Sequence, residues 1–437
     1  MDIVHAIEVK ICISEGGQPI PIESLVASVK NLQIEARLLE RILEAMNEYL
    51  VNSYCGERYS RRTREERYIR AGTSEKTIVT SVGSITLKLN KVRDIQENRI
   101  WKPLTDIVRF AGKQVYQPDI SMISIDFVQK LSYRDTTEEL GIVLPEVPSR
   151  MTIHNRIKQM SGLLEVNEIE IPMVVAMADG TKTHSQEPGK KQNDIHVVLG
   201  VSDEKKVLLG VTVNQSWKFL SDLIANEETL AEHAVIVSDG EPELRAAFAN
   251  EETEFQTDLI HGFRLLGYKL WEDGELSLKE RKEVINELKM HLLSLKNVVI
   301  FHASDHQRVG EKINQVVEGM ENLANQLVER GCSRAAAFLN TYSNTLVTFA
   351  RLSLNGIHIP WNSNMIERLM GEISKRVKHK WMRWTTRGLE AILKFILVRY
   401  TSPWVYRRFR NEYMGLHGLS SIAIQISFDT TIPSIPS

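Results

Sequence analysis

Two short runs decide the fold: Ile171–Gly180, IPMVVAMADG, and Ala234–Gly240, AVIVSDG. Each is a nearly unbroken apolar stretch closed by an aspartate and a glycine. Such continuity marks a strand covered on both faces, as in the sheets of α/β domains. The neighbouring segments complete the pattern. HVVLGVSD and KKVLLGVTVN read as two further strands, WKFLSDLIANE as a helix and EPELRAAFAN as a second helix. FQTDLIHGF is expected to be a fifth strand running into a loop. Asp179 and Asp239 are each expected to end their strand, with the following Gly180 and Gly240 turning the chain sharply. Acids at the carboxyl ends of strands point into the crevice where α/β folds place ligands.

Outward from this core, residues 264–356 are almost wholly helical in apolar spacing, and they read as an insertion. The α/β pattern resumes with NSNMIERLMGEISKRVKHK and GLEAILKFILVRY, both helices. Upstream, Leu25, Leu32, Ala36, Leu39, Ile42, Leu43, Met46 and Leu50 follow helical spacing. Cys55–Gly72 then carries Arg58, Arg61, Arg62, Arg64, Arg67 and Arg70, and Lys76–Asp94 alternates as a hairpin with Gly83-Ser84 as its turn. Residues 119–160 read as helix, helix, turn, helix: Gly141 is expected to cap the helix from Tyr133, and Ser149 to begin the last one. Leu140, Ile153 and Ile157 are its expected core.

The expected fold class is α/β: a mixed sheet interrupted by an all-helical insertion, preceded by an α+β region and a helix-turn-helix. The expected divisions are 1–115 (helix and basic hairpin), 116–165 (helix-turn-helix), 168–262 (first part of the core), 263–357 (insertion), 358–412 (last part of the core) and 413–437 (tail).

Composition is that of a globular chain: 437 residues, 43% apolar, 25% charged and a net charge of -2. Three scattered cysteines give neither a disulfide framework nor a zinc spacing, and His184 and His196 fit no compact ligand motif. No basic region precedes an apolar run at the start, and no apolar run reaches membrane-spanning length. A cytoplasmic protein with no membrane contact is expected. Charge is unevenly spread: Asn364–Arg410 holds twelve Lys/Arg against Glu367, Glu372 and Glu390.

Adjacent carboxylates repel, and a shared Mg²⁺ or Mn²⁺ removes that cost. Asp179 and Asp239 need at least one further carboxylate. Glu367 is the best candidate, with Glu372 close enough to compete; five residues apart, they point to different helix faces.

The order strand-Asp-Gly, strand-Asp-Gly, Asp-x-x-His, helical insertion, Asn-x-x-Glu-Arg resembles the DDE transposases of prokaryotic insertion sequences related to the Mutator type. The resemblance covers about residues 170–400 and includes Lys380-Trp381-Met382-Arg383-Trp384. It implies an RNase H-like catalytic domain, with Asp179, Asp239 and Glu367 as metal-binding catalytic acids. The family often has Cys-x-x-His after the second acid, where this chain has Asp258-Leu259-Ile260-His261; His261 is either a support of the catalytic site or a structural histidine. Double-stranded DNA, both element ends and target, is the implied partner, and synapsis of two ends implies a dimer or larger.

Arg150, Thr152, His154, Asn155 and Arg156 open the last helix of the helix-turn-helix, where such residues reach bases or phosphates. Arg368, Lys375, Arg376, Lys378, Lys380 and Arg383 follow or adjoin the third acid and suit a scissile phosphate. Lys88, Lys91 and Arg93 of the hairpin suit phosphate contacts as well. Trp381 and Trp384 interleave with this charge, and core packing is the stronger expectation for both. An inactive DNA-binding relative and a nuclease without strand transfer are the alternatives.

Overall fold

The computed structural model describes residues 22, 26, 30–31, 33–56, 67–165, 169, 171–202, 205–378 and 382–415. Arg58, Arg61, Arg62, Arg64, Lys380, Trp381 and the tail beyond 415 lie outside them. The chain forms two compact units. One comprises residues up to Asp126, Arg134–Arg150 and those from Arg407; the other comprises Phe127–Tyr133 and Met151–Tyr406.

In the first unit, helix α1 (Ile34–Cys55) packs on a three-stranded antiparallel sheet of β1 (Tyr68–Thr80), β2 (Gly83–Asp94) and β3 (Arg99–Trp101). Ile85, Leu87 and Leu89 alternate inward on β2 and meet Ala36 and Leu43 of the helix, as period-two patterning requires. The hairpin turn differs from expectation. Thr80 pairs with Gly83, so Ser81-Val82 form the loop and Gly83 opens β2. Gly83 is needed there because its φ is +136° and a Cβ would lie 3.0 Å from that of Ala36.

Helices α2 (Leu104–Ile107), α3 (Pro118–Val128), α4 (Tyr133–Val143) and α5 (Arg150–Ser161) follow. Gly141 does not cap α4; the helix runs on to Val143. It stops before Leu144, whose helical conformation Pro145 disfavours. Leu140, Ile153 and Ile157 are each fully buried.

The second unit holds β4 (Met173–His184), β5 (Gln192–Val201), β6 (Lys206–Val213), α6 (Trp217–Asn226), β7 (Leu230–Ser238), α7 (Pro242–Phe248) and β8 (Glu254–Thr257). The sheet order is β6-β5-β4-β7-β8. The pairs β4–β5 and β5–β6 are antiparallel, whereas β4–β7 and β7–β8 are parallel. This is the mixed α/β sheet that the apolar runs predict.

The helical block is α8 (Leu259–Asp273), α9 (Leu278–His302), α10 (His306–Glu329), α11 (Ser333–Leu346) and α12 (Thr348–Ser353). It has its own core of Leu266, Leu288, Val316, Leu323 and Leu339. It also seals β8 at the sheet edge: Thr348 Oγ1 donates to Phe255 O at 2.8 Å, and Phe349 N–H to Gln256 Oε1 at 2.7 Å. FQTDLIHGF therefore ends its strand at Thr257 and enters a helix, not a loop. Last come α13 (Asn364–Val377), α14 (Thr386–Thr401) and α15 (Pro403–Met414). No described helix is long and apolar enough to cross a membrane.

Candidate active site

Parallel pairing of β4 with β7 brings the two aspartates together. Met177 pairs with Val237, two residues before each acid. Asp239 follows Ser238, the last residue of β7, as expected. Asp179 does not end its strand: β4 continues to His184, paired with β5 throughout. The apolar run stops at Asp179 because β7 stops beside it, and the rest of β4 keeps its pairing with β5.

The two glycines have different tasks. Gly240, at φ +92°, makes the expected sharp turn, and a Cβ there would lie 3.0 Å from Tyr342 Cε1. Gly180 makes no turn. It stays in the strand opposite His196, and its missing side chain leaves room for the His196 and Trp217 rings, which stack at 4.1 Å.

Burial pushes the Asp179 carboxyl up to about 6; its bond from Gly180 N–H opposes this, Asp239 raises it further, His261 lowers it and Glu367 raises it. Four groups thus share one electrostatic neighbourhood. Asp179 Oδ1 accepts Gly180 N–H at 2.7 Å, and Asp239 Oδ1 accepts Glu241 N–H at 3.0 Å.

Glu367 lies on the first turn of α13 and its Oε1 is 2.9 Å from His261 Nε2. Glu372, the competing acid, bonds Lys375 at 2.6 Å instead. The two halves of the site are joined by Asp258. Its Oδ1 accepts His261 N–H at 2.9 Å and caps α8. Its Oδ2 accepts Ser363 N–H at 2.5 Å and the Ser363 hydroxyl at 2.7 Å, at the start of α13. Ligand atoms of Asp258, His261 and Glu367 all lie within 4.8 Å of one another, a spacing suited to a metal. Asp258 is only 1% exposed and already accepts three hydrogen bonds, so it acts as a double cap and not as a free ligand.

Sequence reading missed several members. Glu241 accepts Trp217 Nε1–H at 3.0 Å and its carboxyl is raised by burial, beside Asp239. Its signal was its place in Asp239-Gly240-Glu241. Tyr342 donates to Gly240 O at 3.0 Å from within the insertion, where no local signal marked it.

The expected cations divide. Arg368, Lys375, Lys378 and Arg383 are exposed, and so are Arg150 and Asn155. Arg156 bonds Gln159, and Thr152 is half-buried. His154 packs edge-on against Tyr133 at 5.4 Å, and burial lowers its pKa. Arg376 is a correction to the expectation of a phosphate contact: it is 2% exposed. It donates from Nε to Val128 O and lies over the Trp384 ring at 4.8 Å. Its helix register points it inward, into a structural role. Trp384 is core as expected, with Nε1–H bonded to Val377 O at 3.0 Å.

A protein-family model for Mutator-family transposases matches residues 23–406. The chain belongs to the Mutator family of transposases. No match was found among curated proteins. Membership makes the protein a transposase, an enzyme that cleaves DNA, and implies a divalent metal. Carboxylate oxygens such as those of Asp179, Asp239 and Glu367 are of the kind that suits a hard cation, and the Asp179 carboxyl is raised chiefly by burial, with Asp239 and Glu367 adding to it.

Proposed function

We propose that the protein cleaves phosphodiesters at the ends of a mobile DNA element and joins the freed 3′ ends to target DNA, with Asp179, Asp239 and Glu367 as its metal-binding acids. The observation that carries this reading is that Asp179 and Asp239 stand on paired parallel strands while Glu367, which follows a long helical block, is near enough for its charge to act on Asp179. The strand order, three antiparallel strands followed by two parallel ones, supports an RNase H-like core.

Mg²⁺ or Mn²⁺ held by these carboxylates supplies Lewis-acid activation of water and of the scissile phosphate. The chain's own residues do the rest. Asp179 and Asp239 present oxygens from rigid strands. His261 positions the Glu367 carboxylate through its Nε2. Arg368, Lys375, Lys378, Lys380 and Arg383 are assigned to the DNA backbone, as are Arg150, Thr152, Asn155 and Arg156 of a helix-turn-helix. The reaction is two in-line displacements. Water attacks the phosphorus at the element end and the 3′ oxygen leaves as a hydroxyl; that hydroxyl then attacks target phosphorus, and the target's own 3′ oxygen leaves. Two ends must be handled together, so the acting form is a dimer or larger, working in the nucleoid.

The test uses duplexes made from the DNA bordering the coding sequence, with intact and pre-nicked ends, in Mg²⁺. Asp179→Asn and Asp239→Asn should bind these ends as wild type does, yet lose cleavage and strand transfer by more than about a hundredfold. Full activity in either variant overturns the assignment.

A further inference from the structure

Helix α8 begins at the site, with His261 on its first turn, and continues into the helical block. Residues on its outer flank follow at three- and four-residue steps: His261, Arg264, Tyr268 and Trp271. Tyr268 and Trp271 are 52% and 61% exposed, an unusual condition for two large neighbouring rings on one helix. They stack on each other at 5.7 Å with planes 29° apart, and Lys269 Nζ lies over the Tyr268 ring. Neither ring belongs to the core of the block.

Helix α9 runs alongside. A Cβ on Gly267 of α8 would meet Ile285 at 3.0 Å, and Lys289 Nζ stands over the Phe263 ring. Lys296 Nζ lies 4.5 Å from the ring centre of Trp361, two residues before Ser363. The flank of α9 that carries these contacts reads Lys282, Ile285, Lys289 and Lys296, and the acids of the helix, Glu280, Glu283 and Glu287, lie on the opposite side. Seven-residue spacing sets the three lysines about 10 Å apart along one line. On the α8 side the acid Glu272 is already bonded by Lys269 at 2.7 Å.

Together the two helices present a row of cations flanked by exposed stacked rings, starting beside His261 and Glu367. Cations that track a backbone next to open aromatic faces are the means by which proteins hold single strands, because every base has a face to stack. A closed duplex offers its phosphates to the lysines but nothing to the rings. We propose that the flank formed by α8 and α9 binds an unpaired DNA strand leading from the reaction site, with Tyr268 and Trp271 stacking its bases and Arg264, Lys282, Lys289 and Lys296 holding its phosphates. The proposal rests on the reading of the site given above for why DNA is there.

The test is binding of the full chain, in EDTA, to a labelled single strand, a blunt duplex and a duplex with an unpaired tail. Trp271→Ala should weaken the single strand and the tailed duplex about tenfold and leave the blunt duplex within about twofold. The triple change Lys282→Gln, Lys289→Gln and Lys296→Gln should lower the salt slope for the single strand by roughly 2. Unchanged single-strand binding by Trp271→Ala overturns the proposal, as does equal loss on the blunt duplex. A ring-dependent preference for RNA of the same sequence overturns the assignment to DNA. Because no divalent metal is present, these results do not depend on cleavage. If Asp179→Asn keeps full activity while the Trp271 effect holds, the assignment of the acids fails and the track stands; the reverse outcome removes the track alone.

Discussion

Glu367 and Glu372 stand five positions apart on α13, and their partners separate them: His261 for the first, Lys375 for the second. Glu367→Gln should therefore reduce cleavage by more than about a hundredfold. Glu372→Gln breaks a surface pair, whose side chains are 44% and 74% exposed, and should change cleavage by less than about threefold. Rates on a labelled duplex end separate the two. Asp258 carries a different expectation. Removing it leaves the His261 and Ser363 amides without their acceptor in a buried place, so Asp258→Ala should cost about 3 kcal/mol, read by denaturant melts. The placing of Asp179 and Asp239 on neighbouring strands was legible in the sequence because an acid closing an apolar run is a local pattern. The different partners of Glu367 and Glu372 were not, because they depend on which face of α13 meets α8, a contact between residues more than a hundred positions apart. Arg376 misled for the same reason: a run of cations does not show which member the helix turns inward.

At the level of elements, the apolar runs found the strands but misplaced two ends. Apolar continuity reports cover on both faces, and β4 loses that cover at Asp179 while its antiparallel pairing with β5 persists. The β1–β2 hairpin was read from alternation alone, and its turn slid to Ser81-Val82 because Gly83 must pass close to Ala36. The other end of that hairpin holds an ion pair. Arg67 Nη2 lies 2.7 Å from Asp94 Oδ2, and Asp94 Oδ1 accepts the amides of Gln96 and Glu97. Arg67 chiefly, with those amides, holds the Asp94 carboxyl below its ordinary value. A carboxyl lowered in the folded state adds stability that is present above the ordinary carboxylate pKa and is lost as pH falls through the lowered one. Arg67→Gln should thus reduce stability at neutral pH and flatten the loss of stability on acidification below about pH 4. Denaturant melts across that range check it; parallel acid limbs in the two proteins would contradict it.

Across the whole molecule, family membership covers both units, since the match runs from residue 23 to residue 406. The helical block was legible as an interruption, but its engagement with the sheet was not. Tyr342, Thr348 and Phe349 reach Gly240, Phe255 and Gln256 through tertiary contacts that no periodicity encodes. Those contacts, with the double cap of Asp258, fix the start of α13 so that Glu367 reaches His261 and its charge acts on Asp179. The central claim is that these three carboxylates form one site for a divalent metal. Mn²⁺ binding followed by electron paramagnetic resonance tests it without DNA or turnover. The account predicts uptake by the wild type, weakened in Asp179→Asn, Asp239→Asn and Glu367→Gln and unchanged in Glu372→Gln. Equal Mn²⁺ binding by all five proteins would contradict it.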